Sequence, residues 1–243
     1  MTNGKKRAAI GAICVAAAAI TIVAVALGIY LAMKNNANAK QERPWFGEYY
    51  DVKVAAFAEE NEGDPDADVV FLGDSLTDMC ELGKFYPEYS CLNRGISGDT
   101  TSGLKERLKV SAYDVNPEVI VLLIGVNDIN GGKSLESIYA NYEEIISGIK
   151  KNLPETKIVW CSLTPMGGFC AAQNDAAIEC NGKIERMAKK YGCTFVDLYT
   201  PLFDAETEEI AEEYTVDGLH FSDEGYCVIS AAVKEALRSI LGY

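Results

Sequence analysis

Apolar residues fall along this chain in three patterns. The first is a run of 26 residues without a charge, from 8 to 33, rich in Ala, Ile and Val and preceded by Lys5-Lys6-Arg7. At about 1.5 Å per residue a helix of that length is roughly 39 Å long, enough to cross a hydrocarbon core of about 30 Å with some tilt. Uniform apolarity leaves no polar face, unlike a helix packed on one side of a globular domain. The run is therefore predicted to be a transmembrane helix. Ala37-Asn38-Ala39 fits the small-x-small pattern at which signal peptides are cut, so a cleaved leader is the competing reading, although the run is about twice the usual length of a leader core. Lys34, Lys40 and Arg43 partly balance the basic residues ahead of the run. The reading adopted places the N-terminus inside and the remaining domain outside the cytoplasm, anchored in the membrane or secreted after cleavage near Ala39.

The second pattern is a set of short apolar runs at 68–72, 90–93, 118–124, 157–162 and 194–198. Several are continuous and rich in Val and Ile, as strands buried on both faces are. The third is helical. Residues 135–153 place Leu135, Ile138, Tyr142, Ile145, Ile146 and Ile149 on one stripe, and Val228, Ile229, Ala232, Val233, Ala236, Leu237 and Ile240 repeat the pattern near the end. Residues 174–191 read as a weaker helix, 101–108 as a short one, and 45–57 as a helix or extended lead-in to the sheet. Strands alternating with helices predict an α/β fold with parallel pairing, right-handed crossovers and a helix layer on each face. The chain thus divides into a basic N-terminus (1–7), the apolar span (8–33), a linker (34–44) and one domain (45–243).

Charge narrows the partners. Residues 41–243 carry 36 acidic against 17 basic side chains, a formal charge of −19, which disfavours nucleic acid and anionic lipid headgroups. Solubility is the plain meaning of that charge. Seven cysteines follow the apolar span, an odd number without metal-type pair spacing and without a CxxC; whether they pair in an oxidising exterior or stay small buried thiols is open.

In a parallel sheet the strand C-termini face one crevice, where ligands usually bind. The segments that follow the apolar runs read Gly73-Asp74-Ser75, then Gly95-Ile96-Ser97-Gly98-Asp99-Thr100, then Gly125-Val126-Asn127-Asp128, then 164–170, and finally an acidic connection leading to Asp217-Gly218-Leu219-His220. His220 is the one histidine of the chain and so the one imidazole available for proton transfer near neutrality. Ser75, at a strand-to-helix turn, is expected to be exposed at the crevice with helix N-terminal amides nearby, which suits a nucleophile. Asp217, three residues before His220, is placed to fix the imidazole tautomer. The amides of Ser75 and Gly98 and the side chain of Asn127 are the candidate donors to an oxyanion. Each piece has a dull alternative: turns after strands, or a cap before the last helix. Coincidence at three successive strand ends and at the sole histidine is what favours catalysis.

These blocks resemble the SGNH or GDSL hydrolases. The resemblance rests on Val69-Val70-Phe71-Leu72-Gly73-Asp74-Ser75-Leu76-Thr77, Asn93-Arg94-Gly95-Ile96-Ser97-Gly98-Asp99-Thr100, Gly125-Val126-Asn127-Asp128 and Asp217-Gly218-Leu219-His220, in the family's order. It implies a three-layer α/β/α sandwich with a five-stranded parallel sheet, flavodoxin-like. It implies Ser75 as nucleophile, Gly98 (rather than Gly95) and Asn127 as oxyanion donors, and Asp217 and His220 as the rest of the triad. Asp74, Asp99, Thr100 and Asp128 suit supporting roles in turns and caps. Phe221 departs from the polar residue or proline that follows the histidine in many relatives. No metal or organic cofactor is implied. The activity implied is carboxylic ester hydrolysis, with small O-acyl groups on extracellular glycans as one expectation. An O-acyltransferase, a lysophospholipase-like lipase and a non-catalytic binding module are the alternatives. Residues 163–175, with Met166, Gly167, Gly168 and Phe169, are expected to form a flexible acyl wall. The six carboxylates of 204–214 read most simply as a solvated helix face.

Overall fold

The structure is a computed structural model that describes residues 47–63 and 65–242. The transmembrane span expected at 8–33, its flanks and the cut near Ala39 lie outside the described residues; among those described, no helix is long and apolar enough to cross a membrane.

In chain order the elements are α1 (Gly47–Glu62), β1 (Val69–Gly73), α2 (Ser75–Asp78), α3 (Leu82–Phe85), β2 (Cys91–Gly95), α4 (Thr101–Glu106), a π turn (Lys109–Tyr113), β3 (Val119–Leu123), α5 (Val126–Asn130), α6 (Leu135–Asn152), β4 (Lys157–Cys161), α7 (Asn174–Tyr191), β5 (Thr194–Val196), a hairpin of β6 (Phe203–Asp204) with β7 (Glu209–Ile210), and α8 (Asp223–Leu241). Strands β1 to β5 form a parallel sheet in the order β2-β1-β3-β4-β5. The order reverses beside β1, which puts a crevice at the C-terminal ends of β1, β2 and β3. All five residues of both β1 and β3 are buried, the continuous apolar pattern of strands covered on two sides.

Alternation along the strands assigns the helices to the two faces. Phe71, Val121, Leu123 and Cys161 line a small cavity with Tyr226, Ile229 and Val233 of α8. Trp160, one residue before Cys161, points the other way and meets Tyr142 of α6 edge-on, with ring centroids 5.2 Å apart. α6 packs against both α4 and α7 on that second face, while α3 joins α8 on the first. Of the stripe expected on α6, Ile138, Tyr142, Ile145, Ile146 and Ile149 are inaccessible and Leu135 is half-buried. Ser134 caps α6 by accepting from the Ser137 amide, and Ser222 caps α8 through the Gly225 amide.

Three expectations change. The lead-in expected over 45–57 is a helix from Gly47, the first described residue, and it continues to Glu62. The short helix expected over 101–108 ends at Glu106 and passes into a π turn. Residues 204–214 are not a helix face: they hold the β6–β7 hairpin and a 3₁₀ turn at Glu212–Tyr214. Asp204 and the turn residues Glu206 and Thr207 hydrogen-bond locally and close the hairpin instead.

Candidate active site

The nucleophile turn is built by glycines. A methyl group at Gly73 would lie 2.1 Å from Thr77 Oγ1 and 2.4 Å from the Leu123 carbonyl oxygen, and one at its register partner Gly95 would lie 2.2 Å from the Asp78 nitrogen. Both strand ends therefore lack a side chain so that α2 can fold directly over them. Asp74 caps α2 by accepting from the Leu76 amide at 3.1 Å, which leaves Ser75 as the first helical residue and, contrary to the exposure expected of it, buried.

The last connection brings Asp217 and His220 to that turn. A bridge between Thr215 and Phe221 closes the loop, and Thr215 Oγ1 donates to the His220 carbonyl (2.8 Å) while accepting from the Gly218 amide (2.8 Å). Asp217 Oδ1 accepts from the amides of Leu219 (3.0 Å) and His220 (2.8 Å). Its Oδ2 lies 2.7 Å from His220 Nδ1, and His220 Nε2 lies 3.0 Å from Ser75 Oγ. Partial burial works against ionisation of Asp217, but the bonds from the His220 ring and from the His220 and Leu219 amides outweigh it and hold the carboxyl below its usual range. An ionised Asp217 accepts only, so Nδ1 carries the proton and Nε2 is left to accept from Ser75.

Gly98 and Asn127 stand on the neighbouring strand ends. The turn after β2 is closed by the Asp99 amide donating to the Ile96 carbonyl (3.0 Å), with Gly98 at φ +77°, where a side chain would be strained. Asn127 Nδ2 donates to the Asp99 carbonyl at 2.9 Å, tying the third loop to the second. Among the described residues the amides of Ser75 and Gly98 and the second Asn127 amide proton have no acceptor. The third loop is fixed in turn by Tyr142, whose hydroxyl donates to the Ile124 carbonyl (2.7 Å) and occupies the space a side chain at Gly125 would need.

The proposed supporting residues are buried. Asp99 pairs with Arg107 at 2.8 Å, and the guanidinium also donates to Gly73, Arg94 and Ser111. Thr100 caps α4 by accepting from the Gly103 amide. Asp128 accepts from the amide and hydroxyl of Thr101, both at 2.8 Å, and burial raises its carboxyl to about 6. Burial also pushes Asp74 up to about 7; the Leu76 amide opposes this, while Asp99 and Asp128 add to it. Sequence reasoning missed Arg107 and Thr101 because an arginine and a threonine in a short helical segment read as solvent-facing and capping residues. Only the fold shows that they serve buried carboxylates. Burial pushes the Cys80, Cys91, Cys161 and Cys180 thiols up to about 12, so none competes with Ser75 as a ready nucleophile. The seven cysteines of the described residues are free.

The wall expected at 163–175 is held at several points. Asn174 accepts from the Met166 amide (2.9 Å) and donates to the Met166 carbonyl (2.8 Å), Gly167 donates to the Gly218 carbonyl (2.6 Å), and Gly168 donates to Glu209 Oε2 (2.9 Å). Glu209 thus fastens the wall rather than only facing solvent. Phe169, on this wall, is fully exposed.

Comparison with known proteins gives matches over most of the domain. The sequence profile of the GDSL-like lipase/acylhydrolase family matches residues 71–228. A Drosophila melanogaster homologue of the platelet-activating factor acetylhydrolase IB subunit beta is 33% identical over 109 residues, 42% of this chain and 47% of the relative. This chain therefore spans about half the length of that relative. The Gallus gallus platelet-activating factor acetylhydrolase IB subunit alpha2 is 25% identical over 189 residues, 73% of this chain and 79% of the relative. A solved structure of a Streptococcus pneumonia protein named for platelet activating factor superposes with a TM-score of 0.74 at 27% identity, covering 86% of this chain and 99% of its own.

Proposed function

The chain belongs to the GDSL-like lipase/acylhydrolase family, whose members act on esters, and on that premise we propose that it is a serine esterase working through an acyl-enzyme on Ser75. The observation that carries this reading is the relay Asp217–His220–Ser75, with spacings of 2.7 and 3.0 Å. Ser75 Oγ attacks the ester carbonyl and its proton passes to His220 Nε2, while Asp217 stabilises the imidazolium. The carbonyl oxygen, now anionic, takes hydrogen bonds from the Ser75 and Gly98 amides and the Asn127 side chain. Collapse expels the alcohol, which leaves with the proton from His220. Water, activated by the same imidazole, then releases the acid.

The substrate we propose is a short acyl ester, acetyl first, on a neutral alcohol such as a sugar hydroxyl. Support comes from the acetylhydrolase names of the curated relatives and from the carboxylates of 204–213 near the triad loop, which disfavour anionic headgroups. The exposed Phe169 ring, on a wall bonded to Gly218, offers a flat apolar face for the neutral alcohol portion. Anchoring of the domain outside the cytoplasm through residues 8–33 belongs to the same proposal.

Hydrolysis of p-nitrophenyl esters from acetate to octanoate tests it. Activity is expected to be highest on acetate, to label and vanish with a fluorophosphonate at Ser75, and to be absent in Ser75→Ala. A folded wild-type protein without activity on any member of the series would sink the esterase reading. Acyl transfer to an added alcohol in preference to water would instead make it a transferase on the same scaffold.

A further inference from the structure

We propose that Asp78, braced by Tyr49 and Lys53 of α1, is a positioning residue that sets the Gly98 turn against Ser75; this rests on the esterase reading above. Asp78 ends α2, one helical turn after Ser75, and its side chain is 8% exposed. Four donors from two other segments converge on its carboxylate. Oδ2 accepts from the Ser97 amide (3.0 Å), the Ser97 hydroxyl (2.7 Å) and the Tyr49 hydroxyl (2.7 Å), and Oδ1 accepts from Lys53 Nζ (2.8 Å). Burial alone would raise this carboxyl, but the bonds from Lys53, Ser97 and Tyr49 outweigh it and keep the group below its usual range, so it stays ionised. Charge-assisted bonds of this kind are the short and strong ones.

Their placement gives them a catalytic consequence. Ser97 immediately precedes Gly98, so fixing both its amide and its hydroxyl fixes the backbone leading into the Gly98 N–H. On the other side, the Asp78 amide donates to the Asp74 carbonyl at 2.9 Å and the Met79 amide to the Ser75 carbonyl at 3.0 Å, so Asp78 is rigid with the nucleophile. One carboxylate therefore sets the distance between nucleophile and oxyanion donor, the distance on which stabilisation of the tetrahedral oxyanion depends. Docking of α1 does not by itself require Asp78. Tyr50 and Phe57 bury their rings with Ile96, Tyr50 donates to the Gly103 carbonyl, Arg94 pairs with Glu60 and with Asn61, and Asn61 donates to the Val110 carbonyl. Tyr49 and Lys53 add to these anchors a neutralising brace on the acid that accepts from Ser97.

The test compares the full-length wild type with Asp78→Asn, Lys53→Met, Tyr49→Phe and Ser97→Ala in p-nitrophenyl acetate hydrolysis and in inhibition by an aryl trifluoromethyl ketone, whose adduct with a serine carries the oxyanion. Asp78→Asn is expected to lower kcat by roughly tenfold to a hundredfold at unchanged KM, less than the about 10²- to 10³-fold cost of deleting an oxyanion donor outright. The inhibition constant should rise by the same factor as kcat falls. Lys53→Met and Tyr49→Phe should shift both quantities in the same direction by about threefold to tenfold. An inhibition constant does not depend on the fraction of folded enzyme, so a fall in kcat with that constant unchanged means lost active protein and overturns the proposal. If Asp78→Asn does not fold, Lys53→Met and Ser97→Ala decide by the same pair of readouts. Unchanged kinetics in Lys53→Met and Tyr49→Phe overturn the part assigned to α1. Fluorophosphonate labelling separates the layers: a wild type labelled at Ser75 with kinetically silent Asp78→Asn sinks this inference alone, whereas an unlabelled, inactive wild type sinks the esterase reading and this with it.

Discussion

Asp217 is the most open member of the relay, its side chain 51% exposed against 25% for His220, while Ser75 is buried. Water screens the field of such a carboxylate, so its electrostatic support of the imidazolium is weaker than that of a buried acid. Its orienting bond to Nδ1 remains. The proposed reaction therefore loses unequally: His220→Ala should lower kcat by about 10⁴-fold or more, Asp217→Asn by only about 10²-fold. Steady-state kinetics at pH 8 check this, and equal losses would show that Asp217 acts as though buried. Asp74 presents the opposite environment. One of its oxygens is buried with no partner among the described residues, and its folded-state carboxyl stands near 7 against 3.8 for the free group. A raised carboxyl binds its proton more tightly in the folded than in the unfolded state. The stability it contributes is complete below about pH 4 and is lost as pH rises through about 7. Asp128, raised to about 6, adds a loss over the same interval. Asp78 and Asp217, both lowered, have the opposite sign and act only at more acid pH. Melting temperatures measured from pH 5 to 8 should fall across that range, and Asp74→Asn should flatten the slope. An identical slope in the variant would falsify the assignment to Asp74.

At the scale of elements, the loop of 215–221 and the wall of 163–175 meet at Gly218. Its φ is +88°, and a methyl group there would lie 2.8 Å from the Gly167 carbonyl oxygen. Gly218→Ala adds about 1 kcal/mol of backbone strain to a collision with main chain that has little room to move. A stability loss of about 1–3 kcal/mol in urea unfolding is expected, with a fall in kcat because Asp217 and His220 flank the displaced residue. Wild-type stability and rate in Gly218→Ala would mean that the two loops are not coupled there. The elements themselves were legible where periodicity had room to show. α6 and α7 run 18 residues each and α8 runs 19, and each strand of the main sheet overlaps an apolar run. α2, α3, α5 and the β6–β7 hairpin have two to five residues per element, too few for any period to register. The hairpin was obscured further by its four acids and the two of the 3₁₀ turn after it, whose density mimics a solvated helix. Its closure depends instead on local bonds such as the Asp204 acceptor for Glu206 and Thr207.

Across the molecule, the candidate site divides by how local its signals are. Asp217 and His220 are three residues apart, and Ser75, Gly98 and Asn127 each follow an apolar run, so the alternation of strands with helices and the rule for parallel sheets direct them to one crevice from the sequence alone. The groups that hold them there come from distant sequence: Tyr142 behind Gly125, Arg107 behind Gly73 and Asp99, Tyr226 donating from α8 to the Leu76 carbonyl. No spacing encodes those meetings; they follow from packing. Net charge is the one global property that the sequence states outright, and it has a kinetic consequence. With a formal −19 over residues 41–243 and carboxylates at 204, 206, 208, 209, 212, 213 and 217, an approaching anion meets a repulsive field, whereas a neutral ester does not. The field is screened over about 10 Å at 0.1 M salt and about 3 Å at 1 M. Raising salt from 10 mM to 0.5 M should therefore increase kcat/KM for 4-acetoxybenzoate by about tenfold while changing that for p-nitrophenyl acetate by less than about twofold. Because each ester serves as its own reference, the difference in leaving group drops out. A salt response equal for the two esters would show that the acids lie too far from the approach path to select substrate, leaving the shape of the crevice and the Phe169 wall to do so.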